Sequence, residues 1–412
     1  MAGLVRYYPR AMEACWSEAS EQFPVLLLTG PRQVGKTTFL QHICGDDRRY
    51  VTLDDPTLRT LAIEDPALFL QRFEPPVLID EIQYAPPLLP HIKMVVDAAR
   101  KPGLFWLTGS QQFEMMRGVS ETLAGRVGIL NLLGFSMRER RRGELDVPAF
   151  LPTAEQLQAR EATGHALTLK PLYKDLWLGS FPALVGGTVR NRDLFYSSYV
   201  QTYLQRDVHD LAHVGNETSF LRFVKTCAAR TGQLLNYAEL ARDADVSANT
   251  AKSWLSILQT SFQVVLLQPF HANVTKRLVK RPKLYFLDTG LCAYLTEWSS
   301  PETLEAGAMA GAILETFVFS ELLKSWWHRG LEPRIYYYRD RDGGEIDFLL
   351  AQDQRVYPIE VKRTASPGRD SVKAFDALAR SGIQIGEGAV LCLARERVPL
   401  RADVQAVPIG VL

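Results

Sequence analysis

The sequence predicts an α/β protein: a parallel sheet domain, then a largely helical region, then a second, smaller α/β unit. Three observations predict it. A short apolar run, Val25-Leu26-Leu27-Leu28, ends in a glycine-rich loop that opens a helical pattern. Similar apolar runs and helical patterns alternate as far as Leu133, the signature of strands in a sheet covered by helices. Beyond Gly311 one long helical pattern is followed by strand-like segments.

The loop reads Thr29-Gly30-Pro31-Arg32-Gln33-Val34-Gly35-Lys36-Thr37-Thr38, which is G-x-x-x-x-G-K-T. Glycines let the backbone wrap a phosphate so that successive N–H groups point inward. The helix that begins near Lys36 presents its positive dipole end to the same anion. Residues 30–38 are therefore the expected nucleotide contacts, with Lys36 on the β- and γ-phosphates and the Thr37 hydroxyl on Mg²⁺.

Tyr50 to Asp55 reads as a second strand. A helical stretch through Leu58, Leu61, Leu68 and Phe73 follows, with Pro66 breaking it. Val77-Leu78-Ile79-Asp80-Glu81 is a buried strand ending in two carboxylates. Asp80 is expected to hold Mg²⁺ and Glu81 to polarise the attacking water as general base. A helix from Pro90 to Arg100 leads to the strand Leu104–Ser110. Its end lies where ligands bind in open parallel sheets, so either Thr108 or Ser110 is expected to sense the γ-phosphate, or Ser110 only caps the next helix. Arg126, before a fifth strand at Ile129–Leu133, is expected either to act on the γ-phosphate, in its own or a neighbouring subunit, or to form a structural ion pair. Arg138 to Arg142 reads as a basic, solvated helix face. Tyr7, Tyr8 and Arg10, just before the loop, either border the adenine or belong to a surface helix.

The loop, Leu78-Ile79-Asp80-Glu81-Ile82-Gln83, Leu107-Thr108-Gly109-Ser110 and Leu123-Ala124-Gly125-Arg126 together resemble the prokaryotic AAA+ type predicted ATPases with a C-terminal DUF4143 domain. The resemblance spans about residues 5 to 365. It implies a AAA-like ATPase core, ATP and Mg²⁺ as ligands, and a homo-oligomer such as a ring, in which Arg126 acts on a neighbour. It brings no settled biological role.

Further on, Tyr173–Leu184 and Asp193–Leu211 read as helices. Asn236, with Glu239 three positions later, opens one helix, and Ser247 caps the next, in which Ala251, Leu255, Leu258 and Phe262 face inward. Two short helices joined by a tight turn form a helix-turn-helix. Strands at Val264–Gln268 and Leu284–Asp288 flank a stretch carrying Lys276, Arg277, Lys280, Arg281 and Lys283 with no acid, which reads as a wing suited to DNA phosphates. Winged helices also dock proteins.

The last third offers a second constellation. Glu315 lies early in a helix, Asp347 on a strand, and Glu360 and Lys362 two apart on the next strand, hence on one face. Carboxylates on adjacent strands can bind Mg²⁺ while a lysine orients and deprotonates water. D…E-x-K after a helix resembles the PD-(D/E)XK nucleases, which implies Asp347, Glu360 and Lys362 as catalytic residues and Glu315, Asp347 and Glu360 as metal ligands. Gly343-Gly344-Glu345-Ile346-Asp347 stands where that family often has its Pro-Asp, so the proline is missing, and Glu345, on the face of Asp347, is a further candidate ligand. Either cleavage or an inactive fold used for binding is compatible with this pattern.

Bulk properties set limits. The 412 residues suit about two to four domains, divided here as 1–145 (ATPase), 146–217 (helical connector), 218–300 (winged helix) and 301–412 (nuclease-like). A net charge of +1 gives no global case for nucleic acid, so DNA binding must rest on local patches. Five dispersed cysteines argue for a reducing cytoplasm and against a zinc site, and no apolar run is long enough for a membrane span. The functional expectation is an ATP-hydrolysing, DNA-binding protein with a possible nuclease site. The alternative is a nucleotide-gated switch whose distal domains dock proteins.

Overall fold

The computed structural model describes residues 7–109, 119, 121–162, 167–204, 217–271, 281–340, 343–380 and 382–412. Ser110, residues 205–211 at the end of the expected second helix, Lys276, Arg277 and Lys280 lie outside these residues.

Five parallel strands form the first sheet: β1 (Val25–Thr29), β2 (Arg49–Thr52), β3 (Val77–Asp80), β4 (Phe105–Gly109) and β5 (Val127–Asn131), in the order β2-β3-β4-β1-β5. Alternation along β1 explains why the run is wholly apolar. Val25 and Leu27 pack into one core with Phe69, Leu88 and Ile92, while Leu26 and Leu28 pack into another with Trp16, Phe39 and Leu40. Helices α1 (Glu13–Gln22) and α2 (Lys36–Ile43) cover the second face. Helices α3 (Pro56–Glu64), α4 (Pro66–Arg72) and α5 (Leu88–Ala99) cover the first. Pro66 breaks the helical stretch as expected: it opens α4, and Asp65 caps the new helix by accepting from Leu68 N.

Next come α6 (Met137–Arg141), α7 (Ala154–Glu161), α8 (Leu169–Leu178), α9 (Pro182–Val185) and α10 (Arg192–Tyr199). Helix α6 was expected to be solvated. Instead Arg138 and Glu139 are buried, because their polar groups meet partners from distant parts of the chain.

Helix α11 (Glu217–Ala229) and β6 (Gln233–Leu234) precede α12 (Tyr237–Ala244) and α13 (Ala248–Thr260), followed by β7 (Val264–Leu267) and β8 (Lys283–Phe286). The strands form an antiparallel sheet, β6-β8-β7. Asn236 caps α12 and Ser247 caps α13. Helix α13 buries Ala251, Trp254, Leu255 and Leu258 and leaves Asn249, Lys252, Ser253 and Ser256 exposed.

Helices α14 (Thr289–Leu295), α15 (Pro301–Ala306) and α16 (Ala310–Trp327) lead to β9 (Ile335–Arg339), β10 (Glu345–Gln352) and β11 (Arg355–Val361). Then follow α17 (Lys373–Ala379), β12 (Gly388–Cys392), β13 (Val398–Arg401) and β14 (Val404–Pro408). The sheet runs β13-β14-β12-β11-β10-β9. Helix α16 is apolar nearly all round because it is buried nearly all round. One core joins it to Val34 and Leu133 of the first domain, to α11 and α13, and to Phe348 and Ile359 of the last sheet. No helix among the described residues is long and apolar enough to cross a membrane.

Candidate active site

The loop leaves the C-terminal end of β1 and α2 begins at Lys36. Gly30 (φ +147°) and Gly35 (φ +89°) take conformations that side chains resist, and a Cβ on Gly30 would overlap the Leu132 carbonyl. That close approach is fixed by the Leu132 N–H, which donates to Thr29 O at 2.8 Å. Lys36 is buried, and its Nζ donates to the carbonyls of Gly30 (3.0 Å) and Pro31 (2.8 Å), so its charge is held inside the loop.

Asp80 ends β3, separated from β1 by β4. Its Oδ1 accepts from Thr37 Oγ1 (2.8 Å) and Thr108 Oγ1 (2.5 Å), and its Oδ2 from Tyr50 OH (3.2 Å). Burial pushes the Asp80 carboxyl above its ordinary pKa, and the Thr108 and Thr37 hydroxyls pull it back. Glu81 follows in a left-handed conformation (φ +59°). Its N–H donates to Thr108 Oγ1 at 3.0 Å, and Gln83 Nε2 donates to its Oε2. The hydroxyl of Thr108, which with Ser110 was a candidate for the γ-phosphate, here bonds the Asp80 carboxylate and the Glu81 N–H. Thr37, Asp80 and the phosphate loop come together as the sequence predicts. Tyr50 and Gln83 were not foreseen, although Tyr50 sits two residues before Thr52, which lies beside Asp80 in register.

These residues fit a magnesium nucleotide. The loop supplies a glycine cradle and a buried ammonium, and a hydroxyl and a carboxylate stand side by side at its edge.

A cavity of about 260 Å³ adjoins the loop. Tyr7, Tyr8 and Arg10 line it from before the loop, Gly35 and Thr38 from within it, and Phe135 and Pro182 from downstream. The Tyr7 ring stacks on His42 at 3.6 Å between centroids, and burial pushes its hydroxyl to a pKa of about 12. Pro182 lies about 150 residues from the loop, and nothing local in the sequence signals its place here.

Arg126 requires a correction. It precedes β5 at the level of Val25, whose N–H donates to its carbonyl at 3.3 Å. The loop leaves the opposite end of β1, roughly 16 Å away at the usual rise of a strand. Arg126 is half-exposed and pairs with Asp97 at 2.5 Å. A role on its own subunit's phosphate is therefore excluded, the ion-pair reading holds within the chain, and only the neighbouring-subunit role is left open.

A buried polar junction ties the loop to the distal helices. Arg10 donates to Val34 O (3.0 Å), Leu133 O (2.7 Å) and Glu139 Oε1 (3.0 Å). Ser136 N donates to Glu139 Oε2 at 2.7 Å, closing a capping box at α6. His328 Nε2 accepts from Leu133 N at 3.2 Å, and its Nδ1 lies 3.4 Å from Glu139 Oε1. From α16, Glu321 accepts from Met137 N (2.8 Å), and Lys324 donates to Phe135 O (3.0 Å) and Glu321 (2.9 Å). Burial opposes the charge on Glu139, yet Arg10 and His328 hold its carboxyl well below the ordinary range.

In the C-terminal sheet, Phe348 pairs with Ile359, which brings the Asp347 and Glu360 positions side by side. A bulge between Ile346 and Leu349 re-aims the strand there. Asp347 Oδ2 accepts from Val361 N at 2.8 Å, and Lys362 Nζ donates to Glu360 Oε1 at 2.6 Å. Burial, then Glu315 and Glu360, push Asp347 well above the ordinary carboxyl range. Lys283, expected in the DNA-facing wing, is instead buried against this cluster. Its Nζ lies 3.2 Å from Glu315 Oε1 and pairs also with Glu345 Oε1. Tyr285 OH donates to Glu315 Oε1 as well. The expected ligand set Glu315, Asp347 and Glu360 therefore does not fit a metal ion: an ammonium sits among the acids, and among the described residues no three His, Cys, Asp or Glu side chains are grouped to hold one.

Three family models match: one described as an AAA domain at residues 22–140, the domain of unknown function DUF8612 at 170–302, and the domain of unknown function DUF4143 at 310–412. Two uncharacterized proteins, from Mycobacterium bovis and Mycobacterium tuberculosis, are each 31% identical over 394 residues, covering 95% of this chain and 81% of theirs. Among solved structures, a Walker-type ATPase of Pyrococcus abyssi aligns with a TM-score of 0.45 at 15% identity, covering 71% of this chain and 99% of that one. RuvB of Thermotoga maritima aligns with a TM-score of 0.26 at 18% identity, covering 62% and 86%. By its likeness to the mycobacterial proteins over nearly its whole length, together with the AAA and DUF4143 matches, the chain belongs to the family of AAA-type ATPases that carry a C-terminal DUF4143 domain.

Proposed function

We propose that this protein hydrolyses ATP at the 30–38 loop, and that the nucleotide state governs binding of DNA by the helix pair α12–α13 and the basic segment after β7. The observation that carries the ATPase reading is the meeting of Thr37, Asp80 and Thr108 hydrogen-bonding groups at the edge of the loop. Backbone N–H groups of the loop and Lys36 bind the phosphates. Thr37 and Asp80 would hold Mg²⁺, which supplies charge neutralisation at the β- and γ-phosphates. Glu81, oriented through its backbone bond to Thr108, takes the proton of the attacking water. The cavity beside Tyr7, Tyr8 and Pro182 takes the base. Ser110, outside the described residues, stays a candidate contact of the γ-phosphate, and Arg126 acts across a homo-oligomer, in the cytoplasm.

The DNA reading rests on the two capped helices and the exposed small polar face of α13, together with the basic run of Lys276, Arg277, Lys280 and Arg281, whose sequence contains no acid. The test is ATP turnover with and without duplex, forked and single-stranded DNA, with Lys36→Ala as control. DNA-stimulated turnover with salt-sensitive binding supports the reading; neither effect leaves a nucleotide-gated protein-docking switch.

Burial of Lys283 in the acidic cluster favours a C-terminal domain that does not cut. Labelled DNA incubated with Mg²⁺ or Mn²⁺ should stay intact. Cleavage abolished by both Asp347→Ala and Lys362→Ala would restore the nuclease reading.

A further inference from the structure

The carboxyl groups of Glu315, Glu345, Asp347 and Glu360 line the seam between β8, α16 and the β10–β11 pair without closing on one point, with the ammonium groups of Lys283 and Lys362 among them. Lys362 serves one edge only, at Glu360 Oε1, and leaves Glu360 Oε2 buried without a hydrogen bond. Lys283 serves the other edge, binding Glu315 and Glu345 with its side chain 4% exposed.

The position of Lys283 is imposed by its backbone. It stands on the central strand of a three-stranded sheet, paired with Leu267 on one side and Leu234 on the other. Two residues on, on the same face, Tyr285 donates to the same Glu315 oxygen. An ammonium so fixed cannot swing away without breaking the sheet or leaving the carboxylates uncompensated.

We propose that Lys283 is a resident counter-cation that takes the place of a divalent metal in this acidic cluster, and that removing its charge opens a divalent-cation site on Asp347 and Glu360. The buried, unbonded Glu360 oxygen marks where ligand capacity is left over. A divalent ion needs oxygen donors and repels a fixed ammonium, so the two cations exclude each other. The proposal concerns the C-terminal cluster alone, and its test avoids nucleotide so that the phosphate loop does not contribute.

The experiment is Mn²⁺ titration of the nucleotide-free full chain, with free Mn²⁺ read by electron paramagnetic resonance. The proteins are wild type, Asp347→Asn, Lys283→Met, Lys283→Gln and the double change Lys283→Met with Asp347→Asn. Wild type and Asp347→Asn should give the same isotherm. Lys283→Met should gain one site at least about tenfold tighter than any in wild type, and the double variant should lose it. A wild-type site that Asp347→Asn abolishes would overturn the proposal, as would folded Lys283→Met or Lys283→Gln with no added site. Thermal unfolding reports folding. If both Lys283 variants fail to fold, identical isotherms for wild type and Asp347→Asn support the proposal and different ones overturn it.

Discussion

The Arg10 guanidinium and the Glu139 carboxylate, 129 positions apart in the chain, meet at 3.0 Å with both side chains buried. Arg10 also binds a carbonyl of the phosphate loop, and Glu139 also contacts His328 just beyond α16. The two residues therefore join the nucleotide end of the molecule to the helix that packs on the last sheet.

Glu139→Ala leaves Arg10 buried without its counter-charge, which costs about 3–5 kcal/mol when a buried pair loses one member. The urea midpoint should fall accordingly. Arg126→Ala, which breaks only the surface pair with Asp97, should leave the urea midpoint nearly unchanged.

Burial lowers the pKa of His328, and the neighbouring Glu139 only partly offsets this. The unfolded chain takes up a proton near pH 6.5 while the folded chain resists it, so this contribution is full above that pH and is lost as pH falls. Between pH 7.5 and 5.5 wild type should lose stability faster than His328→Gln, as read by denaturant unfolding at each pH.

Glu81→Gln removes the proposed base but none of the loop. Turnover should drop about 10²- to 10⁴-fold while nucleotide binding persists. Lys36→Ala removes the loop's buried ammonium and should lose both, as read by turnover assay and equilibrium binding.

Tyr7→Ala and Pro182→Ala strip one wall each from the cavity beside the loop. If the base sits there, KM for ATP should rise about fivefold, the equivalent of about 1 kcal/mol of ring contact, with kcat nearly unchanged. A fall in kcat at constant KM would move the base elsewhere.

What was legible in the sequence was local. The apolar run of β1, the glycines of the loop and the acids ending β3 each declare their structure within a few residues, because buried parallel strands and phosphate loops tolerate little else. The caps Asn236 and Ser247 were readable for the same reason. The errors were long-range. Arg138 and Glu139 look solvated until Arg10, His328 and the carbonyls of residues 411 and 412 are brought to them. Lys283 belongs to a basic run by sequence and to an acidic cluster by register. Strands β13 and β14 are short, and β13 carries a proline, so neither presents a clear alternating pattern.

The cavity beside the loop has one further bearing. Its walls come from residues 7–10, from the loop and from residues 182–188, so a fragment cut at residue 140, where the AAA match stops, would keep the whole 30–38 loop and lose the far wall. Such a fragment should discriminate poorly between nucleotides that differ only in their base. Work on the isolated front half would then understate how selective the intact molecule is.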